Sequence, residues 1–210
     1  MALPEIPEDF FVYSVKELVS LDKDWVPSNP GEALYIRPFM FASEVAIGVR
    51  PTNEAMFSVI EHHMSLAGAV VLDLFAGSGQ LSWEALSRGA ASATLIDAST
   101  DVCRHLRSVA ISLDVSESVT IIRSDVLPFL RNGDVPRAHL AFLDPPYHLR
   151  CCNAVVNELA SKQRLLEDGL IVVEHGDQEA LLPLDEYPTV WHRERSTTVV
   201  DILRHQPSQT

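Results

Sequence analysis

The chain has 210 residues, of which 47% are apolar and 21% are charged, so it can bury one sizeable core and is not a disordered tail. Its 29 acidic and 16 basic residues give a formal charge of −13. That charge repels a phosphate backbone at long range and leaves nucleic-acid binding to a local basic surface or to a partner. The 3 cysteines form no CxxC pair, which argues against a disulfide scaffold or a zinc ribbon and indicates a reducing cytosol.

Residues 1–49 differ in composition from the rest of the chain. They hold 8 acidic and 3 basic residues, several prolines, and short apolar patches such as Phe10-Phe11-Val12-Tyr13. This pattern predicts a short N-terminal extension with isolated strands or a hairpin, packed on a main domain over residues 50–210. The first residues have neither a basic region nor a long apolar run, so no signal peptide is expected. No apolar stretch approaches the ~20 residues of a membrane span, so no membrane contact is expected.

From about residue 50 the chain alternates between amphipathic helices and short apolar strands. The predicted helices cover residues 53–67, 80–87, 100–113 and 150–160. The predicted strands cover residues 70–72, 93–96, 119–122, 140–143, 169–173, 189–191 and 198–203. This alternation predicts an α/β fold with a doubly wound, Rossmann-like sheet and helices on both faces. Sheets of this kind bind ligands beyond the carboxyl ends of their strands.

Four of the predicted strands end at or near an acidic residue, and these acids are Asp73, Asp97, Asp125 and Asp144. Because parallel strands end at the same edge of a sheet, we expect these carboxyl groups to line one edge. Each acid alone could be an ordinary turn former. Together with the glycine turn described next, they predict a ligand site.

A glycine turn, Gly77-Ser78-Gly79, joins the first strand of the regular region to a helix. Glycines in such a turn let backbone N–H groups approach a ligand closely. The dinucleotide-binding fingerprint is incomplete because Ser82 stands where a third glycine is needed, and no lysine completes a P-loop. Asp73, directly before the turn, is badly placed for a pyrophosphate but suits a ligand with a cationic end.

The next two acids suit the other end of such a ligand. Asp97 lies 20 residues after Gly77, the spacing of an acid that takes the two hydroxyls of an adenosine ribose. Asp125 follows the third strand, where a carboxylate can accept a hydrogen bond from an adenine amino group. S-adenosylmethionine combines an adenosine end with a cationic amino-acid end, and it is the predicted cofactor.

The segment Leu143-Asp144-Pro145-Pro146-Tyr147 follows the fourth strand. Its two prolines fix an extended turn and remove two N–H donors, so its carbonyls and the Asp144 carboxylate become acceptors for an aromatic amine. Tyr147 offers a ring on which a planar base can stack, which contributes about 1–3 kcal/mol. The predicted catalytic residues are therefore Asp144, Pro145, Pro146 and Tyr147.

The two motifs together resemble the amino-methyltransferases that use S-adenosylmethionine. Within them, Leu72-Asp73-Leu74-Phe75-Ala76-Gly77-Ser78-Gly79, followed by Glu84-Ala85-Leu86-Ser87-Arg88-Gly89-Ala90, is similar to the bacterial RsmD-type enzymes. Arg50-Pro51-Thr52, ahead of the first domain helix, also matches that family. The resemblance implies a class I methyltransferase fold and methylation of a guanine N2 amine in small-subunit (16S) rRNA. The cofactor-binding residues it implies are Asp73, Phe75, Ala76, Gly77, Gly79, Asp97, Asp125 and Thr52.

Residues 1–49 depart from the family because they are acidic and lack the basic, glycine-rich hairpin with which its members open. The expected partner is small-subunit rRNA, naked or in a particle whose basic ribosomal proteins receive the acidic face. The chain is expected to act as a monomer in the cytoplasm and to bind no metal. Arg88 and Arg150 are candidates for phosphate contact. Two alternatives stay open, namely an adenine-N6 methyltransferase on DNA or RNA and a non-catalytic cofactor-binding partner protein.

Overall fold

The protein is represented by a computed structural model that describes residues 50–207, with side chains from residue 54 onward. The α-helices in this part are α1 (Arg50–His63), α2 (Gln80–Ser87), α3 (Thr100–Ser112), α4 (Val126–Asn132) and α5 (Cys152–Ser161). The strands are β1 (Val70–Asp73), β2 (Ser92–Asp97), β3 (Val119–Arg123), β4 (Ala138–Leu143), β5 (Leu165–Gly176), β6 (Thr189–Arg195) and β7 (Thr198–Arg204). Within the described residues no helix is long and apolar enough to cross a membrane.

The strands form one sheet in the order β3-β2-β1-β4-β5-β7-β6. The first five strands in that order are parallel, and β7 runs antiparallel to both β5 and β6. After β1 the chain forms β2 and β3 on one side of β1, and it then crosses over to form β4 on the other side. The strand order therefore reverses between β1 and β4, and a cleft opens there at the carboxyl edge of the sheet.

Alternate residues of each strand face opposite sides of the sheet and bury two separate apolar layers. On β1, Val71 packs in the layer that includes α1, α2 and α3, whereas Leu72 packs in the layer that includes α4 and α5. Phe57 of α1 and Phe142 of β4 lie in contact in the first layer, with ring centroids 6.0 Å apart. The predicted doubly wound sheet with helices on both faces is confirmed.

Several predicted boundaries were wrong, each for a local reason. The first helix spans Arg50–His63 and not residues 53–67, and the Ser65 hydroxyl accepts a hydrogen bond from the Ala67 N–H just beyond its end. The last predicted helix starts at Cys152 because Arg150 adopts a left-handed conformation with φ 43°. Strand β5 is longer than predicted at both ends, because β4 pairs with it at Leu165 and β7 pairs with it as far as Gly176.

Helix α4 was not predicted. It has only 7 residues and contains Pro128. Proline is tolerated in the first turn of a helix, where its missing N–H has no partner to lose. The predicted hairpin in residues 1–49 lies outside the described residues.

Candidate active site

A cleft of about 310 Å³ lies at the carboxyl edge of the sheet. It brings together all four of the acids that end strands or follow them: Asp73, Asp97, Asp125 and Asp144. Three residues of the glycine-turn segment that were predicted to contact the cofactor also line it, and these are Phe75, Ala76 and Gly77. Its volume falls within the range of small-molecule sites, about 300–1,000 Å³. The predicted convergence of the four acids on one edge is confirmed.

Asp73 is a buried carboxyl group at the floor of this cleft, with 4% of its surface exposed. Its carboxylate accepts a hydrogen bond of 2.8 Å from the Ser82 hydroxyl. Burial raises the pKa of Asp73 to about 7, the nearby Asp97 charge adds to that rise, and the hydrogen bonds from Ser82 and the Phe75 backbone oppose it. A buried acid with this pKa is well suited to a cationic ligand, which would restore the ionised form.

Asp97 connects the second strand to the glycine turn. One carboxylate oxygen accepts a hydrogen bond from the Gly77 N–H at 3.1 Å, and the other accepts from the Ser99 N–H at 2.8 Å. A carboxylate has about four lone-pair positions, so two directions remain for a ligand. Partial burial raises the pKa of Asp97, and the two backbone hydrogen bonds partly offset this effect. Asp97 therefore stabilises the turn and also presents an acceptor to the cleft.

Gly79 shapes the cleft without lining it. Its φ is 74°, and a Cβ at this position would lie 2.7 Å from the Trp83 indole and 2.8 Å from Leu106. The Trp83 indole N–H in turn donates to the Ser78 carbonyl at 2.9 Å. Glycine is thus required here for the turn and for the packing of α2 against α3.

The Asp-Pro-Pro-Tyr turn forms the opposite rim of the cleft. Asp144 and Pro146 line the cleft, whereas Pro145 is buried behind them. Tyr147 is not among the lining residues, although Leu149, two residues further on, is. The Tyr147 hydroxyl instead donates to Glu174 Oε1 at 2.6 Å and lies 2.9 Å from Thr198 Oγ1.

Sequence reasoning missed several residues that complete this region. Ser82, Ser99, Ser124, Leu149, Glu174 and Thr198 line the cleft or bind residues of its motifs. No local motif marks Glu174 or Thr198, because they reach the turn from β5 and β7. Only the position of Glu174 at the end of an apolar strand, like the four predicted acids, could have drawn attention to it.

The two arginines predicted as candidates for phosphate contact differ in their surroundings. Arg88 follows the end of α2, pairs with Glu61 and Glu84 and stacks over Phe57. It is not among the residues that line the cleft, and its contact with phosphate stays a prediction. Arg150 is exposed and directly follows the cleft-lining Leu149. The Thr52 side chain lies outside the described residues.

Comparison with known proteins assigns the family. A family model described as conserved hypothetical protein 95 matches residues 40–203. Over 152 residues, the chain is 32% identical to ribosomal RNA small subunit methyltransferase D of Escherichia coli, covering 70% of this chain and 74% of that protein. The chain belongs to this family. The resemblance to RsmD-type enzymes predicted from the motifs is confirmed.

A solved structure supports the same fold. A protein of Escherichia coli, provisionally named a methyltransferase, matches with a TM-score of 0.67 and 25% identity, covering 76% of this chain and 87% of that chain. The predicted class I methyltransferase fold is confirmed. The boundary between an extension and a domain at residue 50 stays a prediction.

A second similarity covers a much shorter stretch. Over 61 residues, 29% of this chain, the sequence is 46% identical to a branched-chain-amino-acid aminotransferase of Mycolicibacterium smegmatis. The chain spans only 17% of the length of that aminotransferase. So short a segment assigns no aminotransferase activity to this protein.

Proposed function

We propose that this RsmD family member transfers a methyl group from S-adenosylmethionine to an exocyclic base amine, namely guanine N2 in small-subunit rRNA. The observation that carries the proposal is the convergence of Asp73, Asp97, Asp125 and Asp144 on one cleft with the Asp-Pro-Pro-Tyr turn at its rim. The name of the Escherichia coli relative supplies the substrate class.

The residues of the cleft fit this cofactor. The buried Asp73 carboxyl suits the ammonium of the amino-acid end, since only a cation compensates an ionised group at that depth. Asp97 would accept from the ribose hydroxyls, and the exposed Asp125 from the adenine amine. Phe75, Ala76 and Gly77 would form the wall beside them. The cofactor, when bound, supplies an activated sulfonium methyl group.

The protein's own contribution to the reaction is to hold and orient the acceptor. The lone pair of an exocyclic purine amine is delocalised into the ring, so the amine is a weak nucleophile. The Asp144 carboxylate and the Pro145 carbonyl would accept its two hydrogens, which favours a more tetrahedral nitrogen with its lone pair free to attack. Tyr147 would clamp the ring, after the base has been unstacked or offered unpaired.

The charge of the chain bears on the form of the substrate. With a formal charge of −13, the protein gains little long-range attraction to naked RNA. A particle that already carries basic ribosomal proteins would receive the acidic surface and present the target base together. We therefore propose an rRNA–protein particle as the substrate. We also propose that the chain acts in the cytoplasm as a monomer.

The test is transfer of labelled methyl from S-adenosylmethionine to unmethylated small-subunit rRNA, supplied naked and as protein-bound particles, with nucleoside analysis of the product. N2-methylguanosine, formed faster on particles, is the expected result. N6-methyladenosine would move the substrate to the adenine alternative. Cofactor binding without any transfer would refute the proposal and favour the partner-protein alternative.

Asp144→Ala is the matched variant for this assay. It should abolish transfer and leave the dissociation constant of the cofactor within a few-fold of wild type, because Asp144 is assigned to the acceptor. Loss of both properties would show that the assignment of Asp144 is wrong.

A further inference from the structure

Tyr147 is held in place by residues from two other strands. Its hydroxyl donates to Glu174 Oε1 of β5 at 2.6 Å and lies 2.9 Å from Thr198 Oγ1 of β7. Its ring stands beside Gly176, where a Cβ would lie 3.5 Å from the nearest ring atom. Gly176 and Thr198 are direct partners in the pairing of β5 with β7. The ring is therefore held at its hydroxyl end and along its side.

The burial of Glu174 at this position lowers the stability of the fold. It is 1% exposed and continues the strand face on which Leu170 and Val172 are packed in the α1 layer. A carboxylate taken out of water loses several kcal/mol of hydration, and an apolar side chain would suit that layer better. The hydrogen bond to Tyr147 has the length typical of an O–H donor on a carboxylate, and such bonds are roughly twice as strong as neutral ones.

We propose that Glu174 is a positioning residue, which holds the Tyr147 ring at the rim of the cleft through the Tyr147 hydroxyl. The ring would then stack on the acceptor base and keep its amine within reach of Asp144. The inference rests on the proposed function, because it assigns the base-clamping role to Tyr147. Pro146 and Leu149, on either side of Tyr147 in sequence, both line the cleft, so the Tyr147 ring, which is 36% exposed, stands at its rim.

The consequence is a coupling between Glu174 and the Tyr147 hydroxyl. Glu174→Leu removes the acceptor, and a displacement of the clamp by about 1 Å lowers transfer by up to about 100-fold. Tyr147→Phe keeps the ring but removes the donor, so it should lower kcat/KM for RNA by a similar factor. Glu174→Gln keeps an acceptor oxygen and should retain most of the activity. All three variants should bind the cofactor as wild type does.

The experiment is a double-mutant cycle on kcat/KM for RNA with E174L, Y147F and the combined variant. If Glu174 acts through the hydroxyl, the combined variant is within about twofold of either single variant. An additive loss would overturn the inference. Glu179→Gln is the matched control, since Glu179 accepts from the Asn153 N–H whereas the Tyr147 hydroxyl donates to Glu174, and it should change nothing. If E174L does not fold, Glu174→Asp, which keeps the charge and withdraws the acceptor by one methylene group, takes its place in the wild-type and Y147F backgrounds.

A second readout does not depend on catalysis. In protein labelled with fluorotyrosine, the ¹⁹F signal of Tyr147 is identified by its absence in Y147F. Glu174→Leu should shift or broaden that signal, whereas E179Q should not. An unchanged signal in E174L would overturn the inference even if activity falls. If wild type transfers no methyl group, the proposed function is wrong, and the ¹⁹F signal still decides whether Glu174 positions the ring.

Discussion

Asp73→Asn is expected to stabilise the protein and, at the same time, to weaken cofactor binding. Burial raises the pKa of the Asp73 carboxyl from 3.8 to about 7. Between these two pH values the folded state holds a proton that the unfolded state has released, so stability falls as pH rises. At about 1.36 kcal/mol per pKa unit, the ionised group costs the fold on the order of 4 kcal/mol above pH 7.

Asparagine removes the charge and keeps an oxygen that accepts from the Ser82 hydroxyl. Its buried amide hydrogens cost about 1–3 kcal/mol of stability, which offsets part of the gain from removing the charge. We therefore expect a net stabilisation of about 1–3 kcal/mol at pH 8. The clearer signature is the pH dependence. The advantage of the variant over wild type should grow by about 1.4 kcal/mol per pH unit from pH 4 to pH 7 and then level off.

Urea unfolding at pH 5, 6, 7 and 8, followed by circular dichroism, measures this difference directly. Asp125→Asn removes an exposed carboxyl from the same cleft and is the control for the loss of one negative charge. Calorimetry should show affinity for S-adenosylmethionine rising with pH up to about 7 in wild type, because the cation favours ionised Asp73. In D73N the affinity should be lower and flat with pH over that range. Equal pH dependences of stability in D73N and wild type would refute the reasoning.

Three further predictions concern the cleft and its rim. Asp97→Ala should raise the dissociation constant of the cofactor by about 10- to 150-fold, since charge-assisted hydrogen bonds contribute about 1.5–3 kcal/mol, and an unchanged constant by calorimetry would contradict its role. Gly79→Ala should lower stability by about 1–3 kcal/mol, because φ 74° is strained for alanine and its Cβ meets Trp83; a melting temperature equal to wild type would argue against this packing. Arg150→Ala should raise KM for RNA, and it should reduce the slope of log K against log salt concentration by about 1, the amount expected for one lost phosphate contact. Arg131→Ala, in the last turn of α4, should leave both quantities as in wild type. An equal loss in the two arginine variants would show a general charge effect and not a contact at the rim.

Much of the fold could be predicted because its signals are local. Short apolar runs such as 93–96 mark buried strands, and Gln80–Ser87 was predicted with its observed boundaries because Gly79 opens it. Helix α4 was missed because a 7-residue element with an internal proline carries little periodic signal. The extent of β5 was underestimated because its two ends are set by pairing with β4 and with β7, each about 20 to 30 residues away along the chain.

In the candidate site, too, the features with local sequence signals could be predicted and those set by distant contacts could not. Asp73, Asp97, Asp125 and Asp144 follow predicted strands, so parallel pairing alone was enough to place them on one edge. Arg88 and Arg150 looked alike as arginines near helix ends, and only the structure separates them. Arg88 is held by Glu61 and Glu84, whereas Arg150 stands exposed beside the cleft.

The sequence by itself determined the order of the elements, the sheet edge at which the cleft opens and the chemical character of the cleft, because strand periodicity, glycine turns and the Asp-Pro-Pro-Tyr turn act over a few neighbouring residues. The tertiary structure alone decided the raised pKa of Asp73 and the orientation of Tyr147. Burial depends on every layer packed around a group, so the pKa of Asp73 is a property of the whole fold. The hydroxyl of Tyr147 finds its partners 27 and 51 residues away, and only the packing of β5 and β7 beside β4 brings them within hydrogen-bond distance.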